Sequence, residues 1–431
     1  MRADPVTLDG DAAVAAADDG TRNDRPDFLD TAVPPRGLPL AVLLLSLPLF
    51  GQIFHYMKDL PSLWALSKAF PILSLPLAFT LLVWNRAPIT RQVVITFAWL
   101  VLAPSFVATV YFDQDFFTGV AAQVKLLPML YFFSFLALLL YLRPTLRELA
   151  TGYIVCGLLT YGALIILWAL VPQSWYSGNY AFGSSPLFSF DNRGNRIRMP
   201  MYFGMITLFY GYRRFLRSRQ VVWLLAAALG FVLTLFVVKT RAMMVGVAGM
   251  LVITTWGSAS AVQRLVLLVL APIGLAGLFS FGYLSTLFQT DATSGFDVRW
   301  TTVTKALDFL GTDWIRWLFG VGTISPINSD NLFAYFDHMF FLADITWLGI
   351  LFEFGIIGTI LILLYQIRGL FFYRRLEYLV DSDFLASLRD YILYTLLISG
   401  LYPPTLTPGE IAVILAIFAY TYQRLQTDGP A

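Results

Sequence analysis

Arginine is the residue type whose placement in this chain most directly suggests chemistry. Arg193, Arg196 and Arg198 fall within the run Asp-Asn-Arg-Gly-Asn-Arg-Ile-Arg-Met-Pro, immediately before an apolar stretch. Lys239 and Arg241 flank Thr240, where two further apolar stretches meet almost without a gap. Arg299 opens an amphipathic segment, and His338, one of only 2 histidines, follows Asp337 at the end of the same loop. A guanidinium presents paired donors in a rigid plane and keeps its charge, which suits it to phosphate or diphosphate oxygens. A histidine titrates near neutrality and can move a proton, and an adjacent aspartate can orient or charge it. The set reads as a site for an anion with acid–base capacity nearby.

The elements that must position these groups follow from composition. The 431 residues are 58% hydrophobic and 16% aromatic, with mean hydropathy +0.70. These values exclude a single-core soluble domain and fit an integral membrane protein. Apolar runs near 38–55, 63–84, 92–111, 124–142, 149–171, 198–212, 220–239, 242–258, 265–286, 339–366, 388–402 and 409–424 approach the roughly 20 residues needed to cross a bilayer. Backbone polar groups in lipid must be satisfied within the segment, so such runs are helices. The expected fold is all-α and polytopic, with about twelve transmembrane helices.

Orientation follows lysine and arginine in short flanking gaps. With a cytoplasmic N-terminus, the cytoplasmic gaps hold Arg86 and Arg91, Arg143 and Arg147, Arg213, Arg214, Arg217 and Arg219, Arg264, and Arg368, Arg374 and Arg375. The short external gaps at 56–62, 112–123 and 403–408 hold only Lys58. This predicts an N-in, C-in chain with the cationic set on the external side of the membrane. Residues 1–37, with eight Asp and four Arg and no signal-peptide run, read as a disordered cytoplasmic tail. Residues 38–425 form the transmembrane domain, and 426–431 a second short tail.

Two external segments exceed a simple turn: 172–197 and 287–338. In the second, Ser294, the apolar series Trp300, Val303, Ala306, Leu307 and Leu310, and Gly311 predict an amphipathic helix lying on the membrane face. Phe319-Gly320-Val321-Gly322 predicts a tight turn. Trp175, Tyr176, Tyr180 and Phe182 in the first loop suit either sugar stacking or interfacial packing. Cys156 is the only cysteine and reads as a packing residue. His55, beside Tyr56, reads as structural.

Each cation also has a plainer reading. Snorkelling toward lipid headgroups would place arginine and lysine at helix ends without any ligand. Asp344 and Glu353 are candidates to pair with the cations. Asp113-Gln114-Asp115 could bind a divalent cation or be an exposed loop; the expectation is no metal and no cofactor. The confinement of the set to one face favours an enzyme over a flippase, whose cationic cavity would reach the opposite side.

Lys239-Thr240-Arg241-Ala242, then Arg299-Trp300 with Lys305-Ala306-Leu307 and Leu318-Phe319-Gly320-Val321-Gly322, then His338 and Glu353-Phe354-Gly355-Ile356-Ile357-Gly358 form an ordered series across roughly 200–370. In this series the chain resembles the O-antigen ligase and Wzy polymerase superfamily, metal-independent membrane glycosyltransferases that use undecaprenyl-diphosphate-linked glycans. Thr240 and Met339 stand where family members often have Ser and Asn. The resemblance implies that Arg241 and Arg299 grip the donor diphosphate and that His338 assists the acceptor hydroxyl or steadies the leaving group. It also makes Arg193, Arg196 and Arg198 lipid-diphosphate contacts.

The implied activity is polymerisation of exopolysaccharide or O-antigen repeats, somewhat like the xanthan polymerases. The alternatives are ligation of O-antigen to a lipid A core, or transport. Implied partners are the lipid-linked donor, a glycan acceptor, membrane lipids, and a chain-length regulator and flippase, with no nucleic acid.

Overall fold

The computed structural model describes residues 37–54, 57, 60–84, 89–178, 186–191, 194–262, 264–265, 295–324, 336, 340, 342–398 and 408–428. It is mostly helical. In chain order the helices are α1 (Gly37–Phe50), α2 (Pro61–Leu73), α3 (Leu75–Trp84), α4 (Thr90–Phe112), α5 (Phe116–Ala122) and α6 (Tyr131–Leu142). They continue with α7 (Leu146–Leu170), α8 (Tyr202–Ser218), α9 (Val221–Leu233), α10 (Arg241–Ser258), α11 (Gly295–Leu310) and α12 (Trp314–Phe319). The last three are α13 (Thr346–Leu379), α14 (Asp383–Ile398) and α15 (Pro408–Asp428). Among the described residues, 6 helical spans are long and apolar enough to cross a membrane: Pro61–Leu81, Thr90–Phe112, Phe116–Leu142, Leu146–Leu170, Val221–Val238 and Trp347–Leu379. Positions 266–286 of the expected ninth run and the tail 1–36 lie outside the described residues.

Burial separates the central helices from the peripheral ones. From Tyr131 to Phe135 every residue of α6 is buried, as is every residue from Ile411 to Tyr420 of α15. A helix apolar and buried on all sides belongs in the middle of a bundle, and α6 and α15 pack on each other. By contrast, α4 exposes Leu102, Phe106 and Val110, and α9 exposes Val221, Val222 and Leu225, an apolar outer surface suited to lipid. Local signals fix several ends. Thr145 and Glu148 form a reciprocal cap at the start of α7, with Glu148 N–H to Thr145 Oγ1 at 3.2 Å and Thr145 N–H to Glu148 Oε2 at 2.7 Å, which satisfies two otherwise orphaned donors.

A break in α13 organises one side of the molecule. Gly355 adopts φ 67, ψ −175 inside the helix, a conformation essentially restricted to glycine. Into this break fits the segment Gly320–Gly322: Val321 N–H donates to Phe352 O at 2.8 Å and Gly322 N–H to Glu353 O at 3.1 Å. Gly320 and Gly322 both have positive φ, 80 and 88. Around the junction a second core collects Ala108, Phe112, Ala306, Leu310, Val321, Phe336, Phe340 and Phe352.

The C-terminal end of α8 is tied to the start of α14 by ion pairs. Arg213 donates to both carboxylate oxygens of Asp390, which Arg389 also contacts at 2.7 Å. Arg217 lies 2.8 Å from Asp381 and 3.5 Å from Asp383, and Arg214 lies 3.8 Å from Asp383.

The fold is consistent with the expected all-α membrane protein, and the 172–197 segment adds one short antiparallel hairpin, β1 (Phe188–Asp191) with β2 (Gly194–Ile197). Three expectations need correction. The tenth apolar run was bounded at 366, but α13 continues to Leu379, placing Arg368, Arg374 and Arg375 on a helix; arginine is a good helix former and forces no stop. On α11 the buried face is Thr302, Ala306 and Leu310, while Trp300 and Leu307 are exposed. Glu353 pairs with Lys125 at 2.7 Å, not with an arginine.

Candidate functional site

The hairpin brings basic groups together through its register. Pairing of Ser189 with Arg196 and of Asp191 with Gly194 puts 189, 191, 194 and 196 on one face, because opposed residues share a side and alternate residues return to it. Arg198 extends the same face: its N–H donates to Leu187 O at 2.8 Å, and its Nε donates to Ser189 Oγ at 3.1 Å. Arg196 is buried and Arg198 half-buried. On the opposite face Ile197 is fully buried, which anchors the hairpin to the bundle.

Lys239 arrives at this face from another part of the chain. The end of α9 widens into a π-helical turn, Thr234–Val238, and Lys239 closes it with φ 52, its N–H donating to Thr234 O at 3.0 Å. β2 packs against that turn. The Lys239 ammonium stands 3.4 Å from the position a Cβ on Gly194 would occupy. Arg196, Arg198 and Lys239 therefore share one side of the hairpin. Such π-turns recur at functional sites because they displace one residue from regular helical register; here that residue leads directly into Thr240 and the first turn of α10.

Arg241 is the first residue of α10, with Thr240 as its N-cap position. Its backbone is thus placed two residues from Lys239, while its side chain lies outside the described set. The backbone N–H groups at a helix start favour an anion nearby. Arg299 is exposed in the first turns of α11, a helix that packs on α13. Arg193, Asp337 and His338 lie outside the described residues, as do Tyr180, Phe182, His55 and the Asp344 side chain.

Several residues not singled out from sequence make polar contacts elsewhere in the bundle. Lys125 pairs with Glu353 and lies 5.6 Å from the Phe354 ring centroid. Arg316 sits 4.9 Å from the ring centroids of both Tyr111 and Phe309 and 3.4 Å from Asp313. Glu410, at the start of α15, accepts from Tyr391 Oη. Tyr202, the first residue of α8, donates to the Glu410 carbonyl at 3.5 Å and is 3.0 Å from Tyr153 Oη. Glutamate scarcity in the apolar runs was the one sequence signal for Glu410.

The Asp113-Gln114-Asp115 triplet has structural work. Asp115 caps α5, accepting from Thr118 N–H at 3.1 Å. Gln114 is buried and donates to Thr323 O at 3.1 Å, and Gln123 donates to Thr323 Oγ1 at 2.7 Å, tying this loop to the segment that enters the α13 break. No group of three or more potential metal-binding side chains occurs among the described residues. No protein-family model matches the chain, and no curated protein matches it.

Proposed function

We propose that this chain is a membrane glycosyltransferase, a polymerase that joins undecaprenyl-diphosphate-linked oligosaccharide repeats of an exopolysaccharide or O-antigen. The observation that carries the reading is the common face of Arg196, Arg198 and Lys239, two residues from Arg241 at a helix start. Guanidinium and ammonium donors gathered on one face match the several oxygens of a diphosphate in both charge and hydrogen-bond capacity. In this reading the chain crosses the inner membrane about twelve times with both termini cytoplasmic, and the basic face lies on the periplasmic side.

The chemistry is displacement at an anomeric carbon. The acceptor hydroxyl oxygen bonds to that carbon as the bond to the donor diphosphate breaks. The hydroxyl proton passes to His338, and the leaving diphosphate is held by Arg241 and Arg299, with Arg193, Arg196, Arg198 and Lys239 positioning its lipid-linked end and Asp337 orienting the imidazole. Cations aimed at developing charge lower the barrier without a metal. The lipid-linked glycans of a strain lacking this protein test the reading. Accumulation of single lipid-linked repeats supports a polymerase; long unattached O-antigen indicates a ligase; an unchanged profile removes the glycan reading.

A further inference from the structure

A second polar cluster sits apart from the basic face, around Gly409 at the start of α15. A Cβ on Gly409 would lie 3.0 Å from Gln52 Oε1, 3.1 Å from Tyr131 Cδ2 and 2.8 Å from Pro128 Cβ. Gln52 is 6% exposed and Tyr131 0% exposed, and both Gln52 Oε1 and Tyr131 Oη are buried without a hydrogen-bond partner among the described residues. Orphaned polar atoms this deep are rare and costly, and each calls for an explanation. The next residue is Glu410, which is half-buried. Tyr391 donates to one of its oxygens, Oε2. Gly51, before Gln52, packs against Tyr202 and Phe203, so α1, α6, α8, α14 and α15 all reach this point.

We infer that Gln52, Tyr131 and Glu410 form a binding site for a hydroxyl-rich sugar unit, the acceptor end of the glycan, separate from the face that takes the diphosphate. The inference rests on the glycosyltransferase reading above. The groups on offer fit sugar hydroxyls: a carboxylate oxygen and an amide oxygen accept, and a phenol both donates and accepts. A packed aromatic cluster holds the phenol in place, with the Phe50 and Phe70 ring centroids 5.1 Å and 5.7 Å from that of Tyr131. A carboxylate disfavours a phosphate here, so the cluster complements the basic face and does not duplicate it.

The test uses the full chain in lipid nanodiscs and two probes: undecaprenyl diphosphate, and the oligosaccharide released by mild acid from the lipid-linked fraction of cells lacking the protein. Gln52→Leu and Tyr131→Phe each remove an orphaned atom without breaking any hydrogen bond among the described residues. The expected result is oligosaccharide affinity lower by about tenfold or more in each variant, with undecaprenyl diphosphate binding unchanged and the melting temperature unchanged or raised. Thr96→Val, which removes another buried orphan at Thr96 Oγ1 on α4, should leave both affinities as in the wild type.

Undiminished oligosaccharide binding in both variants overturns the site and leaves the glycosyltransferase reading standing. A wild-type protein that binds undecaprenyl diphosphate but no oligosaccharide also overturns it, the orphaned atoms then holding water only. A protein that binds neither probe removes the glycosyltransferase reading along with the site.

Discussion

Gly320 and Gly355 meet backbone to backbone: a Cβ on Gly320 would lie 2.6 Å from the Gly355 nitrogen and 2.6 Å from the Glu353 carbonyl oxygen. Two main chains approach this closely only where both lack side chains. Gly320→Ala or Gly355→Ala should therefore cost about 1–3 kcal/mol from positive φ alone, with the backbone clash added. The melting temperature of the purified protein measures this. Gly162→Ala, where nothing lies within 4 Å, should leave it unchanged or raise it, since alanine favours a helix.

Arg241→Ala, Arg299→Ala and His338→Ala should each abolish polymer formation while leaving the amount of membrane-inserted protein unchanged. Lysine at 241 or 299 should rescue poorly, because it restores charge without the two-pronged donor geometry. Glycan profiles of complemented deletion strains check both points. Normal polymer from all three alanine variants would remove these residues from the mechanism.

Lys125 and Glu353 are joined across 228 positions of sequence at 2.7 Å. Glu353→Gln and Lys125→Met should each destabilise the protein more than the double variant destabilises it per residue. The coupling is expected at about 0.5–3 kcal/mol, the range for contacting pairs. Thermal melting of the four proteins gives the value; strict additivity would mean that the pair contributes nothing.

Asp390 is 1% exposed and faces Arg213 and Arg389. Asp390→Ala strands a half-buried guanidinium and should cost about 3–5 kcal/mol, read as a lowered melting temperature or loss of folded protein from the membrane. Asp390→Asn keeps the shape and one acceptor oxygen and should fall between alanine and the wild type.

Asp115 serves as a helix cap, and under the metal-free mechanism proposed above chelators should leave polymer formation unchanged. Asp115→Ala should lose about 1 kcal/mol of stability and Asp115→Asn little, both seen in melting. A chelator-sensitive polymerase would mean that a cation binds elsewhere.

Local signals in the sequence were the readable ones. Ser294 and Gly311 bracketed a helix observed at Gly295–Leu310, and Lys239 and Thr240 alone separate the π-turn from α10. Glycine at 320 and 322 announced a turn, but its reception by Phe352 and Glu353 depends on a tertiary contact that no local pattern encodes. The stripe on α11 misled at Trp300 and Leu307, because in a lipid-facing protein an apolar residue can face core or solvent-like hydrocarbon equally well. Arg196 and Arg198 were legible as cations. Their common face with Lys239 required the hairpin register, and a slip of one residue would have turned them to the other side.

The carboxylates that hold Arg217 begin 164 residues further along the chain. During synthesis the second half of α8 thus emerges with its guanidiniums bare, which is when flanking charge influences helix orientation. Neutralisation waits for α14. Assembly is in this sense ordered in time: the early half of the molecule carries an unmet electrostatic demand that only the late half can answer, so a chain truncated before Asp381 would retain the charge while losing its remedy.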